Sequence, residues 1–157
     1  MAETTIAASL QRELDRAWRM LRDAITHCPD EEWRAGTDFF LVPARLAFHV
    51  VQAVDYHLDD NPSAYDWERF GFDWEEADAV ELPSKMAVLG YLEDVRAKAE
   101  AWVQRHGDAG LTGPDVPHGY FPSALEHASY VLRHTMYHLG HLDAELHRRG
   151  CCSPEWA

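Results

Sequence analysis

Four stretches of this chain repeat apolar residues every three to four positions, and that spacing limits the fold more than any other feature. Residues 5–27 carry Ile6, Leu10, Leu14, Ala17, Trp18, Leu21 and Ile25 with charges between them, and Pro29 ends the run. A second stretch starts near Pro43, a good first-turn residue, and runs to about residue 59 with Leu46, Val50, Ala53, Val54 and Leu58 on its apolar face. A third covers residues 84–106 through Met86, Leu89, Leu92, Val95, Ala99, Trp102 and Val103, and is expected to stop at Gly107. The fourth opens at Ser123, with Glu126 three residues on as a capping box, and reaches Arg149 before Gly150 as a helix C-cap. No internal repeat or convincing strand pair is visible. The pattern predicts an all-α four-helix bundle, with residues 1–157 as a single domain. Two of its connections are long, so a simple up-down order does not follow from the sequence.

Residues 60–82 form an acidic connection holding Tyr65, Trp67, Phe70, Phe72 and Trp74 without a sustained period. Two readings stand equally: a segment that packs its aromatics over one end of the bundle, or a lid beside a site. A single turn around 31–33 is expected between the first two helices.

The chain carries a net charge of −13 with histidines neutral. A phosphate-backbone binder needs a basic face, and an anionic membrane surface attracts basic ones, so neither nucleic acid nor membrane is an expected partner. No apolar run reaches the length of a membrane span. The N-terminal MAETTIAASLQRELDR lacks a basic start followed by an apolar core, so no signal peptide is expected. Three cysteines, Cys28, Cys151 and Cys152, make no disulfide framework; a reduced, cytoplasmic setting is the economical reading, with the C-terminal pair as exposed thiols.

Histidine is the compositional outlier, with 10 in the chain. His134 and His138 are four residues apart on the fourth helix, which places both rings on one face about 40° apart. A transition metal needs neutral imidazole nitrogens converging at about 2 Å. Two ligands then come from this helix, and a third must come from a facing one. His49 and His57 on the second helix are the alternatives, and the helical wheel does not choose between them. Alone, the spacing is weak, because a His-rich face is more often solvated. His57 points into the apolar face and reads as a hydrogen-bonded interior residue. His27, His106 and His118 show no metal partner, and His127, His147, Glu126 and Glu145 read as surface positions. No H-E-x-x-H protease motif occurs.

The stretch SALEHASYVLRHTMYHLGHLDAELHRRG resembles the last helix of the DinB-like (YfiT-like) superfamily, which carries H-x3-H, then x-G, and often an Arg-rich end with Gly. Those positions read His134, His138, Gly140 and Arg148-Arg149-Gly150 here. FLVPARLAFHVVQAVDYHL is similar to the family's second helix, whose ligand histidine falls on His49, and LPSKMAVLGYLEDVRAKAEAWV is similar to its third. The resemblance implies a metal triad of His49, His134 and His138. It departs from the pattern at His141, where Gln or Glu is common, leaving that residue as a fourth ligand, an outer partner or an exposed side chain. It also departs ahead of His49, where the family's usual Trp would be matched by Phe39 or Phe40.

Three histidines leave coordination positions open, the pattern of a catalytic site. The resemblance implies a divalent transition metal, zinc or nickel ahead of iron or manganese. It further implies a small-molecule substrate and, from thiol-dependent relatives, a low-molecular-weight thiol in a transferase or hydrolase reaction. A homodimer is the expected assembly. The competing expectations are a non-enzymatic metal-binding or stress-response bundle, and a structural bundle with solvated histidines. A substrate-sized pocket beside the metal separates the first of these from an enzyme.

Overall fold

The computed structural model describes residues 5–151. Its helices are α1 (Ile6–His27), the single turn α2 (Asp30–Trp33), α3 (Pro43–His57), α4 (Lys85–Leu111) and α5 (Ala124–Arg148), with 3-10 turns at Phe39–Leu41 and Pro62–Ala64. The protein is all-helical; among the described residues there is no strand. Among the described residues no helix is long and apolar enough to cross a membrane.

The long helices do not follow one another around the core. α1 packs between α4 and α5, and so does α3, which puts α1 and α3 on a diagonal. Trp18, Leu21 and Ile25 of α1, Phe48 of α3, Leu92 of α4 and Leu142 and Leu146 of α5 are fully buried where the four meet.

Helix ends follow local chemistry. Thr5 Oγ1 accepts the Ala8 amide at 3.1 Å, and Ser123 Oγ accepts the Glu126 amide at 3.2 Å. The capping box at Ser123 is only half formed, because the Glu126 carboxylate accepts from the Ser123 hydroxyl at 3.4 Å rather than from its amide. Gly150 closes α5 with φ 76°, a left-handed conformation that glycine adopts freely, and Cys151 N donates back to Leu146 O at 2.9 Å. α4 breaks where expected, at Gly107 with φ 54°, but resumes for one more turn to Leu111. The break aims Asp108 at the start of α1, where its carboxylate accepts from the Ile6 and Ala7 amides at 3.2 and 2.9 Å.

α3 is buried nearly all round, more than its five predicted apolar positions suggest. The outer side is covered by the 60–82 connection, whose Phe70 and Phe72 rings sit 5.3 and 4.9 Å from Phe48. Three polar residues of α3 hold that cover. Arg45, 1% exposed, donates to the carbonyls of Phe39, Trp74 and Ala77. Gln52 Nε2 donates to Trp67 O at 3.0 Å. Asp55 accepts from the Tyr65 and Tyr91 hydroxyls at 2.8 and 2.7 Å and pairs with Lys98 at 2.8 Å and Arg69 at 2.7 Å. Burial pushes the Asp55 carboxyl up, but the Lys98, Tyr91 and Tyr65 hydrogen bonds outweigh it and hold it below the usual carboxylate range.

Two surface expectations fail near the C-terminus. Glu145 is buried, clamped by Arg148 and Arg149, and Arg149 also reaches Glu32 at 2.8 Å and the Ala35 carbonyl at 2.9 Å. The α2 turn brings its carboxylate and carbonyls to the end of α5, a contact that helical spacing cannot reveal. Cys151 is half-buried against the core instead of exposed, and the reading of Cys152 lies outside the described residues.

The Arg148 hydrogen bonds, then those of Arg149, hold the Glu145 carboxyl down to about 2. A depressed folded-state value contributes stability that is complete above about pH 4.5 and is lost as pH falls toward 2. Glu145→Gln is therefore expected to cost about 1–3 kcal/mol near neutral pH. The gap between wild type and variant should shrink steadily on acidification below pH 4.5 in urea unfolding. A gap that stays constant down to pH 2.5 would remove this ion pair from the acid response.

Candidate metal centre

His49 lies near the middle of α3, and His134 and His138 one turn apart on α5, the helix packed against it. Their ring centroids are 5.1 Å (His49–His134), 4.7 Å (His49–His138) and 4.5 Å (His134–His138) apart. One nitrogen of each lies within 4.8 Å of the others. The fold therefore brings together the three residues singled out from the sequence. His57, the alternative to His49, is two turns further along α3 and does not join them.

Burial, then the neighbouring His138 and His134, lowers His49 to about 3. Burial, then His138, lowers His134 to about 4, and burial, then His141, lowers His138. All three imidazoles are neutral at pH 7, the form that offers a lone pair to a metal. His138 Nδ1 is buried with no hydrogen-bond partner, an unmet polar atom of the kind that marks an ion or water site. On both counts the donor set fits a divalent transition metal.

The surroundings come from the connection. Trp74 stacks on His49, centroids 4.2 Å apart at 33°, so the aromatic against this histidine is neither Phe39 nor Phe40. Phe39 instead lies under the Arg45 guanidinium, 3.5 Å away. A pocket of about 440 Å³ opens beside His49 and His134, walled by Tyr56, Trp67, Trp74 and Tyr130, with Glu68, Asp73 and Glu75 on its rim. The aromatics of residues 60–82 thus cover the outer side of α3 rather than one end of the bundle, and the same segment lines the pocket. A second cavity of about 410 Å³ lies on the His138 side, bordered by His141, Tyr137 and Phe40. His141 is half-buried, its ring 5.7 Å from His138, and stands outside the three-histidine group.

The family model of the DinB superfamily matches residues 13–142. The chain belongs to the DinB superfamily. The match takes in all three histidines and nearly the whole helical core. No curated protein matches the chain.

One part of this DinB protein was not foreseen. His127, expected on the surface, is buried, and His118, for which the sequence showed no metal partner, lies beside it. His127 Nδ1 bonds to Asp115 Oδ1 at 2.7 Å, and its Nε2 lies 2.9 Å from His57 Nδ1. His57 is hydrogen-bonded, as its apolar position suggested. Asp115 and His118 sit in the loop between α4 and α5, and no periodic signal in a Gly/Pro-rich loop could place them.

Proposed function

We propose that this protein is a divalent-metal-dependent enzyme of thiol-transferase or hydrolase type, with His49, His134 and His138 as metal ligands. Zinc or nickel is the metal and a low-molecular-weight thiol the co-substrate. The observation that carries the reading is the pocket: of three neutral imidazoles that meet, His49 and His134 line a cavity of about 440 Å³, large enough for a small molecule. A metal-storage or purely structural bundle has no need of such a space.

His49, His134 and His138 would hold the metal, whose Lewis acidity would supply a nucleophile near neutral pH. The chain's own residues do the rest. Trp74 covers one face of His49 and fixes its ring, while Tyr56 and Trp67, centroids 4.6 Å apart, form an apolar wall. Glu68, Asp73 and Glu75 give the rim a negative character that suits a substrate carrying an amine.

The test uses Co²⁺-loaded protein and simple thiols such as glutathione and cysteine. Thiol addition is expected to produce sulfur-to-cobalt absorption, and the metal-loaded protein is expected to speed consumption of free thiol by an epoxide or alkyl halide at least about tenfold. His134→Ala should abolish both. Binding without faster consumption would favour the non-enzymatic reading, and neither effect would remove thiol chemistry.

A further inference from the structure

We propose that His57, His118 and His127 form a second metal site, taking a divalent ion of the zinc class, beside the pocket that His49 and His134 line. The three side chains come from α3, the α4–α5 loop and α5, and one nitrogen of each lies within 4.8 Å of the others. Ring centroids are 5.0 Å (His57–His127), 4.9 Å (His118–His127) and 6.1 Å (His57–His118) apart.

The hydrogen bonds around the cluster set its tautomers. Asp115 can only accept, so His127 carries its proton on Nδ1 and turns the Nε2 lone pair inward. Asp115 is itself held, its other oxygen accepting from the Tyr120 and Phe121 amides at 2.9 and 3.1 Å. The backbone carbonyl of Asp59 can likewise only accept, so His118 is protonated on Nε2, 3.0 Å away. This leaves the His118 Nδ1 lone pair for the cluster, and that atom is buried with no partner. A carboxylate and a carbonyl orienting two imidazoles so that their free nitrogens converge is the arrangement that outer partners give to metal-bound histidines. A hydrogen-bonded cluster alone leaves His118 Nδ1 unexplained.

In the metal-free protein His57 donates from Nδ1 to His127 Nε2. Metal binding replaces that bond: the His57 proton moves to Nε2, both lone pairs turn to the ion, and no net proton is released. His57 also lines the pocket that His49 and His134 line, so the two sites border one cavity. The inference does not depend on the thiol reading, since its ligands are separate.

The test counts Zn²⁺ per chain by elemental analysis, on chelator-stripped protein reloaded with the metal alone and dialysed against a weak competing chelator. Wild type is expected to hold two equivalents, His118→Ala one, His134→Ala one, and the double variant none. His57→Gln, which keeps a donor toward His127 while removing the imidazole, should also hold one. Metal lost in His118→Ala but retained in His134→Ala would support this site while overturning the other. A single equivalent in wild type, unchanged in His118→Ala and His57→Gln, would overturn the proposal and leave Asp115, His127 and His57 as a metal-free hydrogen-bonded chain. Thermal melting of each stripped variant checks that it folds.

Discussion

His134→Ala is expected to weaken metal binding at the His49–His134–His138 cluster by more than about 100-fold, because losing an outer partner of a ligand alone costs 10–100-fold. The variant keeps His49 and His138, but two nitrogens on two helices no longer enclose an ion. Competition titration with a chromogenic chelator reads the change in a His118→Ala background, where the second histidine group holds no metal. His49→Ala should behave the same way, since it removes the only contribution of α3 to this cluster. Retention of wild-type affinity in either variant would take the metal away from these residues. A second readout comes from the metal-free protein. Burial, then His138, holds His134 neutral down to about pH 4, whereas its ordinary value is 6.5. The unfolded chain therefore takes up a proton that the folded one refuses, and stability falls as pH drops from 6.5 to 4. Metal-free His134→Ala lacks that group and should lose less stability than wild type over the same interval.

Arg45→Met is expected to destabilise the protein by about 3–5 kcal/mol in urea unfolding. Methionine replaces the aliphatic stem but none of the donors to Phe39, Trp74 and Ala77. Those carbonyls are then left short of partners at a site from which water is excluded, and the stretch from Trp74 to Ala77 loses its tie to α3. Trp74 stacks on His49, so the effect reaches the pocket. Cleavage within residues 66–82 by limited proteolysis should speed up accordingly. A shift below about 0.5 kcal/mol would mean that aromatic packing alone holds the connection.

These two residues were not equally visible in the sequence. His134 and His138 could be paired from spacing, because a helix brings positions i and i+4 to one face whatever surrounds it. The four long helices, the caps at Ser123 and Gly150 and the turn at 31–33 were legible for the same reason: each depends on contacts within a few residues. His49 could not be separated from His57 by periodicity, since both occupy a helix that is buried nearly all round. Family resemblance selected His49, and the fold places it against α5. Arg45, Gln52 and Asp55 look like the polar face of an amphipathic helix until the connection lies over them.

Local pattern was thus sufficient for an all-helical chain with two histidines on one helix face, because hydrogen bonding and apolar spacing within a helix need no distant partner. The diagonal placement of α1 and α3, the Glu145 clamp, the wall of the pocket and the His57–His118–His127 group were decided by tertiary structure alone. Each joins residues far apart in the chain, and their burial and protonation depend on neighbours that only the folded protein supplies.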